Sequence, residues 1–111
     1  MANAYLLLAL SVALEVLGTV AMQASVQFTR PLPALGVVVG YGGAIWFFMQ
    51  VIERLPLGIT YAIWAGSGIV LTVLAGALIF RQRIDLWAAL GIGLIVAGIA
   101  VIHLFSRMKL P

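Results

Sequence analysis

The sequence predicts an all-α membrane protein with four transmembrane helices per chain, working as an antiparallel homodimer of eight helices. Three observations carry that reading. Hydrophobic residues fill 65% of the 111 positions and charged ones 8%, with a mean hydropathy of +1.24, whereas about a quarter of the residues of a soluble domain are charged. The apolar residues fall into four runs, each close to the roughly 20 residues that cross a bilayer's hydrocarbon core. The basic residues divide evenly between the two faces that four crossings create. The whole chain, 1–111, is read as a single transmembrane domain, with helices at about 4–25, 34–52, 58–80 and 86–105.

The first run, Tyr5 to Ala24, has Glu15 near its centre. A carboxylate at that depth costs about 2.5 to 3.5 kcal/mol even on lenient insertion scales. A leucine would insert better, so the cost points to a use. Ser11, Glu15, Thr19 and Gln23 recur every fourth residue with Gly18 between them, and residues four apart lie above one another on a helix. The resulting polar stripe belongs against a protein interior or a water-filled cavity rather than lipid. A quiet pairing inside the bundle is the bland alternative, but the other charged residues lie between or beyond the runs. The segment lacks a basic N-terminal region and is interrupted by a glutamate, which reads as a retained span and not a signal peptide.

Phe28 to Pro33 reads as a loop, because two prolines and an arginine interrupt helical continuation. The second run carries Gly36, Gly40, Gly43 and Ala44, small residues that let another backbone approach one face. Tyr41 and Trp46 lie in the same run, and Glu53 to Gly58 forms the second loop. The third run opens on Tyr61 and Trp64, three apart and so on one face. An interfacial aromatic belt is the alternative for such residues. It suits Trp87 and partly suits Tyr61, but Trp64 lies nearly two turns in. Gly66-Ser67-Gly68 follows in mid-span as a candidate bend. Arg81 to Asp85 is the third loop, with Asp85 placed to cap the fourth helix. Gly91 and Gly98, seven apart, put small residues along one seam of a helix pair. His103, alone near the far interface, reads as incidental.

Four crossings place both termini and the second loop on one side. Arg54, Arg107 and Lys109 lie there, against Arg30, Arg81 and Arg83 on the other. Three against three leaves the positive-inside rule without a preference, so the chain is expected to insert both ways. Four short helices are too few to enclose a cavity gated at both ends. Two copies in opposite orientations supply the inverted symmetry that many transporters take from internal repeats. The net charge of +3 reflects loop anchors, not a nucleic-acid surface. No cysteine is present, and no metal cluster, phosphate loop or activated nucleophile is legible. No cofactor and no enzymatic activity are expected.

Taken together, several stretches are similar to one family. They are Glu15-Val-Leu-Gly18-Thr19, the small positions of helix two with Tyr41, Pro56-Leu-Gly58-Ile-Thr-Tyr61-Ala-Ile-Trp64, Gly66-Ser-Gly68-Ile-Val, and Gln82-Arg83-Ile-Asp85 leading to Gly91 and Gly98. Over its whole length the chain resembles the small multidrug resistance transporters. The resemblance implies an antiparallel homodimer in the bacterial inner membrane that exports lipophilic cations against protons. It implies that Glu15 is the essential carboxylate and that Tyr41, Tyr61 and Trp64 are binding-site aromatics. It likewise implies a kink at Gly66 to Gly68 and a dimer seam at Gly91 and Gly98. Ser11, Gly18 and Thr19 join the expected substrate surface. Guanidinium exporters of the family look different after the glutamate, with tryptophan at the position of Gly18. Gly18-Thr19 and Tyr41 instead look like the multidrug, quaternary-ammonium subtype. Gln23, where relatives often carry lysine, and Ser67 depart from the pattern.

Elementary physics supports a transporter independently. Protons and a cation competing for the same Glu15 carboxylates would couple their movements, and Tyr and Trp faces attract quaternary cations by about 2 kcal/mol when desolvated. Two alternatives remain open at this level: a guanidinium-selective exporter of the same family, and a proton-carrying structural subunit of a larger membrane complex.

Overall fold

The computed structural model describes residues 3–108 and contains four helices: α1 (Ala4–Ala24), α2 (Pro31–Ile52), α3 (Leu57–Ile79) and α4 (Leu86–Phe105). Each is long and apolar enough to cross a membrane. Within them Glu15 is the sole Asp, Glu, Lys or Arg. Lys109, one of the charges counted above, lies outside the described residues.

Local chemistry explains the helix ends. Asn3 caps α1, its side-chain oxygen accepting from Tyr5 N at 2.8 Å, and Asp85 caps α4, accepting from Ala88 N at 2.7 Å, as short polar side chains do for orphan amides. The expected loop from Phe28 to Pro33 is a correction: α2 begins at Pro31, three residues earlier than the sequence reading placed it. Proline is unwelcome inside a helix but comfortable in its first turn, where its missing N–H would have no partner. The other boundaries lie within one residue of those expected. Between α1 and α2, Val26, Gln27 and Phe28 have φ of 48°, 58° and 65°. This left-handed turn is tied back by Thr29 N and Arg30 N, which both donate to Ser25 O.

The helices pack as a row in the order α2, α1, α3, α4, with principal extents of 45 × 35 × 19 Å. The thin dimension is about two helix diameters, so one chain encloses no chamber of its own. The α1–α2 contact is the most extensive, and glycine permits it. A Cβ on Gly40 would lie 2.7 Å from Gly18 N and 2.8 Å from both Gly18 Cα and Leu14 O. Backbone therefore meets backbone there, and the small stripe of α2 takes α1 as its occupant. Leu7, Leu8, Val12 and Val51 form the buried apolar cluster at the end of the row where α1 begins, with Phe47, Ile63 and Trp64 packed against it.

α3 is α-helical without interruption from Leu57 to Ile79, so Gly66 and Gly68 do not break it in this conformation. They act as close-approach points. A Cβ on Gly66 would meet Ile99 Cδ1 of α4 at 2.7 Å, and one on Gly68 would meet Glu15 Oε2 of α1 at 2.6 Å. α4 touches α3, and its His103 ring sits edge-on to Tyr5 at 5.3 Å. Among its described residues α4 has none buried, and added Cβ atoms at Gly91, Gly93 and Gly98 would meet nothing within 4 Å.

Candidate functional site

The polar stripe of α1 faces its two neighbours, and its members have different surroundings. Glu15 and Thr19 line a cleft of about 340 Å³ together with Trp64, Ala65, Gly68, Ile69, Thr72 and Val73 of α3. That volume lies within the usual range for small-molecule sites. Of the carboxylate oxygens, Oε1 accepts from Thr19 Oγ1 at 3.2 Å. Oε2 is buried and has no hydrogen-bond partner among the described residues. A polar atom left so in an apolar setting is costly, and none of the four helices supplies a Lys or Arg. Gly68 is what lets the carboxylate lie flat on α3, since its missing side chain is the space that Oε2 occupies.

Thr19 Oγ1 also lies 2.6 Å from Tyr41 Oη. A hydroxyl has one proton to give, and Thr19 shares its own between Glu15 Oε1 and the Glu15 backbone carbonyl at 3.0 Å, so the tyrosine donates to Thr19. A directed chain, Tyr41 to Thr19 to Glu15, thereby connects α2 to the carboxylate through α1. Gly18 makes room for it, because a Cβ there would lie 3.2 Å from Tyr41 Cδ2. Gln23, at the end of the stripe, accepts from Gln82 Nε2 of the third loop at 3.3 Å.

Ser11 is fully buried. Its Oγ donates to Ala44 O at 2.7 Å and accepts from Trp64 Nε1 at 3.0 Å. Trp64 packs against Tyr61 with centroids 5.8 Å apart and against Phe48 edge-on at 5.3 Å. These three rings and Ile45 line a second cleft of about 130 Å³ with an entirely apolar lining. Trp64 is thus the partition between this aromatic cleft and the Glu15 cleft.

The structure gathers Ser11, Glu15, Gly18, Thr19, Tyr41, Trp64 and Gly68 into one connected assembly, and places Tyr61 across the indole from the carboxylate. Gly66 is turned to α4, and Gly91 and Gly98 lie apart on the open helix. Phe48 escaped the sequence reading. Its signal was there, since it follows Tyr41 by two helical turns and so shares that face. The three tryptophans separate clearly: Trp64 is partly buried and bonded, whereas Trp46 and Trp87 are 58% and 76% exposed. Among the described residues no three His, Asp or Glu side chains are grouped as a metal site requires.

Comparison with known proteins gives a consistent result. Residues 3–95 match the family described as Small Multidrug Resistance protein. A multidrug transporter of Pseudomonas aeruginosa is 50% identical over 103 residues, covering 93% of this chain and 94% of its own. The quaternary ammonium compound-resistance protein QacF of Klebsiella aerogenes is 43% identical, with 95% and 96% covered. The multidrug transporter EmrE of Escherichia coli shows the same identity and coverage.

Proposed function

The chain belongs to the Small Multidrug Resistance family, and from that premise we propose that it exports lipophilic and quaternary ammonium cations in exchange for protons, both competing for Glu15. It is a multi-pass protein of the bacterial inner membrane. The observation that carries the proposal is Oε2 of Glu15: a buried acceptor without a partner among the described residues, on a side chain that lines a cleft walled by an indole. A cation or a proton supplies what that oxygen lacks. No residue of the four helices offers a fixed positive charge in its place.

The working unit in this reading is an antiparallel homodimer. The even division of loop charges supports it, as does the open face of α4, where Gly91 and Gly98 would form the seam. Two chains bring two Glu15 carboxylates and two aromatic walls to one chamber. Tyr41, Tyr61, Trp64 and Thr19 form the substrate surface, with Gly66 and Gly68 serving as the hinge of α3 during alternating access. The multidrug subtype fits the steric situation at Gly18. A tryptophan there would collide with the present position of Tyr41, so a guanidinium-type site needs a different arrangement of α2.

The test is a pH titration of tetraphenylphosphonium affinity on purified dimer. A proton on Glu15 removes the charge that the cation seeks, so affinity must fall as the pH is lowered. Glu15→Gln keeps volume and hydrogen-bonding capacity without ionising. It should insert and dimerise, yet neither bind the cation nor release protons when it is added. Retained binding with an unchanged pH profile would place the proton site elsewhere.

A further inference from the structure

We propose that Ser11 is a positioning residue: its hydroxyl, anchored on the α2 backbone, holds the Trp64 indole as the wall of the Glu15 cleft and thereby sets the affinity for aromatic cations. The inference rests on the reading above, in which Trp64 touches the cation. It gives Ser11 a different part from the direct substrate contact that its place in the polar stripe suggests.

The geometry has a fixed direction. Indole N–H is only a donor, and a serine hydroxyl has one proton and two lone pairs. The carbonyl of Ala44 can only accept, so Ser11 must spend its proton there, at 2.7 Å. Its lone pair is then turned to Trp64 Nε1, at 3.0 Å. No rotation of the hydroxyl serves both partners in any other way. One buried oxygen therefore ties α1, α2 and α3 together at the level of the aromatic wall. With Ser11 fully buried, a ligand in the cleft meets the indole and not the hydroxyl.

The orientation of that indole matters because an aromatic ring is negative on its face and positive at its edge. A cation gains only where the face is turned to it. Phe48 at 5.3 Å and Tyr61 at 5.8 Å confine the ring from one side by contact alone, and neither satisfies its N–H. Without the Ser11 acceptor, the N–H loses the partner that fixes its direction. The ring is then free to turn within the cleft, where Glu15, Thr19 and Thr72 all carry oxygens that can accept from it. Loss of Ser11 thus removes the fixed orientation of the wall and leaves its N–H to compete for the polar groups of the cleft.

The experiment uses full-length dimer carrying Trp46→Phe and Trp87→Phe, two substitutions at exposed positions that line neither cleft and that leave Trp64 as the only tryptophan. In this protein the Raman signature of a hydrogen-bonded indole N–H is expected, and a free N–H overturns the inference whatever the Ser11 variants do. Ser11→Ala should free the ring, lowering tryptophan anisotropy, and should weaken tetraphenylphosphonium binding about three- to tenfold, part of what a cation–π contact supplies. Ser11→Thr retains the hydroxyl and should restore both readouts towards the parent. The deciding comparison repeats Ser11→Ala on Trp64→Phe, which has a ring but no N–H. There the serine change should cost little further affinity. An equal loss in both backgrounds would make Ser11 a direct contact and overturn the proposal, as would unchanged affinity and anisotropy in Ser11→Ala. If Trp64→Phe and Trp64→Leu themselves bind normally, the aromatic-wall reading fails instead, and the Raman result separates the two failures.

Discussion

Alanine substitutions at Gly68 and Gly40 test the packing and the site together, because the added methyl meets a different kind of obstacle at each. At Gly68 it would lie 2.6 Å from Glu15 Oε2 and 3.4 Å from Cδ. Ordinary contact begins at about 3.5 Å, so the carboxylate must move by roughly 0.9 Å. It is the free end of a flexible side chain and can do so cheaply, while alanine improves the helix by up to about 1 kcal/mol. The movement nevertheless breaks the 3.2 Å contact with Thr19 and turns the charge away from the cleft. Gly68→Ala should therefore keep or gain stability but bind tetraphenylphosphonium about tenfold more weakly, a loss of about 1.4 kcal/mol. At Gly40 the methyl would lie 2.7 to 2.8 Å from three backbone atoms of α1, which cannot step aside singly. The two helices must separate over their largest contact, and overpacking of this sort costs about 1 to 3 kcal/mol. Gly40→Ala should be destabilised by about 1 to 2 kcal/mol after the helix-propensity gain. Stability would be followed by circular dichroism through an SDS titration, and affinity by calorimetry. Gly68→Ala with normal affinity, or losing as much stability as Gly40→Ala, would refute the placement of the carboxylate on α3.

Three further outcomes follow from particular residues. Trp64→Leu should lose affinity for bulky aromatic cations by about tenfold with expression and dimerisation preserved, whereas Trp87→Leu should change neither; equal effects would make both tryptophans membrane anchors. Leu57→Lys, on an exposed site beside the second loop, tips the charge balance to four against three and should bias a C-terminal topology reporter from activity on both sides to one. A wild-type reporter active on one side only would remove the basis of the antiparallel pairing. Gln27→Gly relieves a left-handed residue with φ of 58° and should raise stability by about 1 kcal/mol in the same SDS titration; a loss of stability would mean the turn is held in another conformation.

Much of this protein is legible in the chain because its determinants are local. Hydropathy marks four spans, since the bilayer demands a continuous apolar run of fixed length wherever a helix crosses. Glu15 identifies itself as costly by depth alone, and the four-residue spacing of Ser11, Glu15, Thr19 and Gln23 fixes a common face before any partner is known. Other features depend on which face meets which neighbour, and no local pattern contains that. Pro31 begins α2 because a first turn needs no proline N–H, a matter of position rather than of residue type. Gly40 and Gly68 look alike in the sequence, yet one admits the α1 backbone and the other the Glu15 carboxylate. Ser11 belongs to the same stripe as Glu15, but the nearness of Ala44 O and Trp64 Nε1 consumes its hydroxyl. Hydrogen-bond partners 33 and 53 residues away are brought within 3 Å only by helix packing, and so the division between anchoring and ligand-facing members of one stripe is decided by the tertiary structure alone.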